Sequence, residues 1–387
     1  MKPIYLDCHA TTPVDRRVYA AMQPYFCDVF GNPGSTHSYG WEASSAVKKS
    51  RQVIAEAIGA EPEEIIFTSG ATEANNLAIK GVAEAYFSKG KHIITIATEH
   101  RAVLDPCAYL ESLGFNVTYL PVQKDGIVDL AALETAIAPE TILVSVMAAN
   151  NEIGVLQPLA EIGAICSEKD VLFHSDAAQA MAKIPLDVRE MQVDLMSLTA
   201  HKVYGPKGIG ALYLRRRQPK VKVAPQIQGG GQENGIRSGT LYPPQIVGFA
   251  KAVELGMAQM TAESTRLTKL REYLWSQLQT LEGVHLNGHP TQRLAGNLNV
   301  SFAGVDGSAL LLGLQPTVAL SSGSACSASN LAPSHVLTAL GRDKKLARAS
   351  LRFGIGRFNT LEQIETVAAE TISCVSTLRE AISWQAS

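Results

Sequence analysis

From residue 64 to residue 198 the chain repeats one rhythm, in which a short, mostly apolar run gives way to a stretch of helical period. The runs lie at 64–67, 92–97, 117–120, 141–146, 171–174 and 193–198. Between them, 73–87, 103–113 and 159–169 carry apolar residues three and four apart, the spacing of one buried helix face. Strands that lack a polar alternation are buried on both sides. The pattern therefore predicts a doubly wound α/β layer, a mainly parallel central sheet with helices on both faces. After about residue 250 the rhythm changes. A long amphipathic stretch at 246–281 predicts one or two helices, shorter strand candidates follow at 296–302 and 350–355, and a terminal helix is expected over 360–383. This part reads as a smaller α+β domain. The expected division is a large α/β domain over 15–255 and a small one made of 1–14 with 256–387.

Composition narrows the function. With 387 residues, 46% of them hydrophobic, the chain can bury a sizeable core and is not globally disordered. Lys and Arg number 34 against 36 Asp and Glu, a net charge of −2 with no long single-sign run, which argues against sequence-independent nucleic-acid binding. No uncharged apolar stretch approaches the roughly 20 residues that span a bilayer, and Asp7 is reached before a signal segment could form. A cytoplasmic protein without a membrane partner is expected. Six cysteines are scattered without a Cys-x-x-Cys pair, so free thiols are expected, most of them buried.

In an open α/β sheet, ligands bind beyond the carboxyl ends of the strands. The residues that follow the predicted strands there are reactive ones: Ser69-Gly70-Ala71-Thr72, Glu99-His100, Asn150-Asn151, Asp176 and His201-Lys202. Residues 69–73 lie between a strand and a helix, where free amides and the helix dipole suit an anion. Taken alone, an ordinary helix cap is the simpler reading. Lys202 precedes the turn-forming Val203-Tyr204-Gly205-Pro206 and could serve as a Schiff-base lysine, although an isolated lysine is usually a surface residue. Asp176 sits among small neighbours and could face a pyridinium nitrogen, or cap a helix. A phosphate cradle, a pyridinium carboxylate and a Schiff-base lysine on successive strand ends are together what pyridoxal 5'-phosphate needs from a protein. No metal site is read: Cys8-His9 lacks further ligands nearby and is more simply structural.

These segments resemble the cysteine desulfurases of the NifS/IscS-like type, within the fold-type-I pyridoxal phosphate enzymes. The resemblance runs nearly the full length. Its landmarks include Tyr5-Leu6-Asp7, Gly31-Asn32-Pro33, residues 68–76, Thr98-Glu99-His100, Asn150-Asn151-Glu152, His174-Ser175-Asp176, residues 201–208, Arg237-Ser238-Gly239-Thr240, residues 321–327 and Arg352-Phe353. It implies that Lys202 binds the cofactor and moves the substrate Cα proton, and that His100 stacks on the ring as general acid/base. Asn151 and Gln179 would bond the ring oxygen and substrate region, while Ala71, Thr72, Thr199 and His201 would hold phosphate. Thr240 would reach the phosphate of a partner subunit, implying a homodimer. Arg352 would take the substrate carboxylate, with Asn32 assisting. Cys326, in the small and polar run 320–329, would attack the substrate sulfur and carry it as a persulfide.

The implied reaction converts L-cysteine to L-alanine, with sulfur passed on to an iron–sulfur scaffold or another acceptor protein. Two other readings stand beside it. One is a carbon–sulfur or selenocysteine lyase using the same cofactor. The other is a sulfur-transfer scaffold acting by protein interaction.

Overall fold

The computed structural model describes residues 2–322 and 333–386. Its centre is a seven-stranded sheet. In chain order the strands are β1 (Ile65–Thr68), β2 (His92–Ile96), β3 (Asn116–Leu120), β4 (Thr141–Ser145), β5 (Leu172–Asp176), β6 (Leu195–Thr199) and β7 (Gly210–Leu214). They lie side by side in the order β1-β7-β6-β5-β4-β2-β3. Six run in one direction and β7 alone runs against its neighbours β1 and β6.

Strand β7 was not among the runs expected from the pattern. Residues 200–209, which precede it, are too few for a helical crossover of a dozen or more residues, so the chain turns straight back. Its first residue explains a tight approach. A Cβ on Gly210 would stand 2.4 Å from the Leu198 carbonyl oxygen and 2.7 Å from Gly70 Cα.

The helices α1 (Ser38–Glu56), α2 (Ala71–Ala85), α3 (Arg101–Ser112) and α4 (Leu159–Glu168) cover the sheet. Successive strand residues feed opposite cores, as the pleat requires. Ile65, Phe67, Ile94 and Ile96 pack with Val47 and Ile54 of α1 and Ile162 of α4, whereas Ile66 and Ile93 pack with Leu77 and Val82 of α2 and Val103 of α3.

A single helix, α5 (Pro243–Leu278), crosses residue 255 without a break. Ile246, Phe249 and Val253 belong to the large core, and Leu267, Leu270, Leu274 and Leu278 to a separate one. That second core is shared with a four-stranded antiparallel sheet of β8 (Val284–Leu286), β9 (Asn297–Phe302), β10 (Ser321–Ser322) and β11 (Ser350–Gly354), ordered β10-β11-β9-β8. The long helix α6 (Leu361–Ala386) closes it with Ile364, Val367 and Val375. At the amino end, Ile4 and Tyr5 pair with Val318 and Ala319, Leu6 enters the second core, and Asp7 is bridged to Gly354. This brings residue 7 beside β11. Among the described residues no helix is long and apolar enough to cross a membrane.

Candidate active site

Beyond the carboxyl ends of the central strands lies a cavity of about 610 Å³. Ala71, Thr72, His100, Asn151, Asp176, Gln179, Thr199, His201, Lys202 and Arg352 all line it. Asn32 and Thr240 do not. They line a separate surface depression of about 710 Å³, together with Arg51 and Glu233. Cys326 lies outside the described residues.

One end of the cavity suits an anion. Gly70 caps α2 with φ +157°, a backbone value that favours glycine, and the first-turn amides that follow have no partner within the helix. Glu73 would oppose an anion there, but its carboxylate is tied to the Ser69 amide at 2.7 Å and to Arg237 Nε at 2.6 Å. His201 faces Thr11 Oγ1 through Nδ1 at 3.2 Å, and burial with the nearby Lys202, Lys207 and Lys183 charges pushes its pKa down to about 4. Its ring is neutral at pH 7.

The middle of the cavity suits a flat heterocycle. His100 caps α3, its Nδ1 accepting from the Ala102 amide at 3.0 Å, which places the proton of the neutral ring on Nε2. Asp176 lines the same cavity and is 5% exposed. Its oxygens accept from Asn75 Nδ2 at 2.7 Å and from the Ala178 amide at 2.9 Å. Among the described residues it forms no ion pair. A buried carboxylate needs a cation, and a protonated pyridine nitrogen is one. Together with the anion cradle and Lys202, this donor set fits pyridoxal 5'-phosphate. Lys202 Nζ donates to the carbonyls of Ala10, at 2.8 Å, and of His9.

At the far side Arg352 is 1% exposed in the second strand of the small sheet. Nη2 meets Asp7 Oδ1 at 2.8 Å, Nη1 meets the Asn151 carbonyl at 2.9 Å, and Nε has no partner among the described residues. A second carboxylate can be received there. Ser321, five residues before Cys326, is the strand partner of Arg352.

The class-V aminotransferase family matches residues 4–367. The chain belongs to that family. A cysteine desulfurase of Mus musculus is 56% identical over 382 residues, 98% of this chain and 83% of that one. A solved structure of a NifS-like protein has a TM-score of 0.89 at 37% identity, covering 99% of this chain and 100% of its own. Another, of SspA in complex with cysteine, has a TM-score of 0.81 at 38% identity, covering 92% and 100%. Within the class-V aminotransferases, this chain is of the cysteine desulfurase kind.

In this class-V member two residues that hold the cavity's lining in place, Asn75 and Asp7, were given no role from the sequence. Asn75 lies one helical turn after Thr72 on the buried side of α2, a spacing that could have marked it. Asp7 reaches Arg352 across 345 positions, and nothing local announces that. The cysteines divide unevenly. Burial pushes Cys8 up to about 11 and Cys107 and Cys166 up to about 12. Cys27 departs from the expectation of burial, because it ends a four-residue helix with no buried residue and is exposed. None of the five described cysteines lines the cavity.

Proposed function

We propose that this protein desulfurates L-cysteine to L-alanine with bound pyridoxal 5'-phosphate, passing the sulfur through a persulfide on Cys326. The observation that carries the reading is one cavity lined by Lys202, the amino end of α2 and a buried carboxylate that forms no ion pair among the described residues. When bound, pyridoxal 5'-phosphate supplies an electron sink for the charge left as the Cα proton departs.

The protein's own residues do the rest. The amides at Ala71 and Thr72, with Thr199 and His201, hold the phosphate, and Asp176, oriented by Asn75, keeps the ring nitrogen protonated. Lys202 is the amine for covalent attachment and moves the Cα proton. His100, its Nδ1 taken by the Ala102 amide, keeps Nε2 for general acid/base work. Arg352 binds the substrate carboxylate by its planar guanidinium, and Asn151 steadies it through a backbone bond. Cys326 as thiolate attacks the substrate sulfur: an S–S bond forms, the C–S bond breaks with its electrons left on the three-carbon fragment, and a proton added there completes alanine. The raised thiols of Cys8, Cys107 and Cys166 are poor nucleophiles, and neither they nor Cys27 and Cys374 line the cavity, which supports the assignment of that task to Cys326.

Thr240 and Asn32 support a homodimer, in which Thr240 serves the partner subunit's phosphate and Asn32 assists at the substrate. Exposed aromatic pairs favour the same reading: Phe26 with Tyr242 at 6.3 Å and Phe30 with Tyr39 at 5.5 Å between ring centroids. The sulfur then goes to an iron–sulfur scaffold or another acceptor protein. A reducing compartment such as the cytoplasm suits a carrier thiol.

The test is product analysis with L-cysteine and a thiol reductant. Alanine and sulfide in equal amounts, both lost in C326S, support the proposal. Pyruvate with sulfide, undiminished in C326S, would make the protein a β-eliminating lyase instead.

A further inference from the structure

Behind the cavity floor is a second chamber of about 50 Å³, lined by Cys8, His9, Lys183, Lys202, Tyr204 and Glu263 among others. The reaction described above has no use for Lys183. Its ammonium nevertheless begins a chain of contacts that ends in the cavity. Lys183 Nζ donates to Gln179 Oε1 at 3.3 Å, Gln179 Nε2 donates to the His9 carbonyl at 2.8 Å, and Lys202 Nζ donates to that same carbonyl.

The two faces of a carboxamide are usually hard to tell apart. Here both partners are unambiguous. An ammonium has only donors and a carbonyl only acceptors, so Oε1 must face Lys183 and Nε2 must face His9. His9 Nδ1 lies on the same oxygen at 3.2 Å. Of the two Nε2 hydrogens one goes to the His9 carbonyl and the other remains, on a side chain 4% exposed that lines the cavity. The cavity therefore meets Gln179 as an N–H donor. Without Lys183 the His9 contacts alone would oppose a half-turn of the carboxamide, and Lys183 adds a charged donor to Oε1 that makes the turn costlier.

We propose that Lys183 is a positioning residue that locks Gln179 as a donor toward an anionic oxygen on the bound cofactor's ring. The inference rests on the reading that Gln179 meets that oxygen. Its consequence is electronic. A donor at the ring oxygen is strongest when that oxygen carries full negative charge, which is the deprotonated form of the bound chromophore, so the lock lowers the pH at which the cofactor's visible absorption changes. Glu263 and Cys8 face Lys183 across the chamber and favour its charge, against the burial that lowers it to about 8. His9 stays neutral because it is buried beside Lys183, Arg352 and Lys202.

The experiment is a pH titration of visible absorption on the holoenzyme, comparing wild type with K183M, K183Q, Q179L and the K183M/Q179L double variant. Expected is a rise in the midpoint of about half a unit to one unit in K183M, the worth of one hydrogen bond. K183Q keeps an N–H for Oε1 and should return the midpoint to the wild-type value. In the Q179L background K183M should add nothing, since it acts only through Gln179. An unmoved midpoint in K183M, or an equal shift in the Q179L background, would overturn the proposal. Should K183M fail to fold, Q179E carries the test: it keeps a partner for Lys183 and offers the cavity no N–H, so an unchanged midpoint there refutes the lock. Absence of any cofactor absorption in the wild type would instead bring down the cofactor reading on which the proposal stands.

Discussion

Replacing Asp7 by asparagine separates two properties of Arg352 that the wild type joins. The side chain keeps its shape and an oxygen for Nη2, 2.8 Å away, but the negative charge is gone. If the substrate carboxylate docks on the same guanidinium, its charge lies roughly 6 Å from that of Asp7, and at an effective dielectric near 20 the repulsion is about 3 kcal/mol. Asp7 is partly open to solvent, with 19% of its side chain exposed. Screening leaves about 1 to 2 kcal/mol of that repulsion, which corresponds to a 5- to 30-fold change in affinity. D7N should therefore lower KM for L-cysteine by about that factor, and lower the inhibition constant of L-alanine equally, because both present the same carboxylate. Stability moves the other way. The guanidinium loses its counter-ion, so the ligand-free variant melts earlier and recovers with saturating alanine. Steady-state assays of alanine formation, with alanine as product inhibitor, read both constants. A merely damaged protein would not bind its substrate more tightly. If KM and the alanine constant both stay within twofold of wild type, or rise, the substrate carboxylate is not held at Arg352.

Three further outcomes are expected. G210A puts a Cβ 2.4 Å from the Leu198 oxygen and 2.7 Å from Gly70 Cα, so the anion turn cannot close, and titration of pyridoxal 5'-phosphate into the apoprotein should show at least about tenfold weaker binding, a cost of 1.4 kcal/mol or more; wild-type affinity would show that the turn is not the phosphate site. N75A removes the donor to Asp176 and should reduce kcat/KM about 10- to 100-fold, as expected for a bond to a charged group, with N75D failing as well because it sets a second carboxylate there. His174 bonds Ser145 and Ser197 at 2.8 and 3.0 Å, and burial pushes its pKa down to about 3. The unfolded chain takes up that proton near pH 6.5 and the folded one does not, so His174 makes the protein lose about 1.4 kcal/mol of stability per pH unit below 6.5; the difference in urea midpoint between wild type and H174N should shrink from pH 7 to pH 5, and a constant difference would contradict it.

The central strands could be read because parallel strands buried on both faces leave an unbroken apolar run, and the residues just after each run are fixed in place by that register. His100, Asp176 and Lys202 were legible for this reason alone: each follows or ends such a run. Strand β7 escaped because its sequence, Gly210-Ala211-Leu212-Tyr213-Leu214, opens on a glycine and has no helix before it. Asp7 and Lys183 escaped for a different reason. Each looks like a surface charge in its own segment, and only the pairing of the amino-terminal strand with Val318 and Ala319 brings Asp7 to Arg352, as the turn that follows β5 brings Lys183 to the second chamber. Thr240 and Asn32 were placed by resemblance, and in a single chain they sit apart from the cavity that holds the other residues.

The charges around the cavity also favour one orientation for the ligand of the proposed function. Two of its acidic neighbours already have cations: Glu73 has Arg237 and Asp7 has Arg352. Of the carboxylates described there, Asp176 is left without one, and Glu99, fully buried behind it, is pushed well above the ordinary carboxylate range by burial and by Asp176. A cationic ring atom therefore has one place to go. The anion end is fixed separately, by the amides after Gly70, and His201 is held neutral there rather than adding a mobile charge. On the function proposed above, the ring nitrogen would stand at Asp176 and the phosphate at α2, leaving Gln179 for the ring oxygen, Lys202 for covalent attachment and Arg352 for the substrate carboxylate, all of them residues that line the cavity. The substrate's nitrogen, carboxylate and Cα proton are then all assigned, and the one remaining substituent on Cα, the CH2–SH arm, is left for a group outside that set. That arm is what the proposed function gives to the thiol of Cys326, five residues beyond Ser321, the strand partner of Arg352.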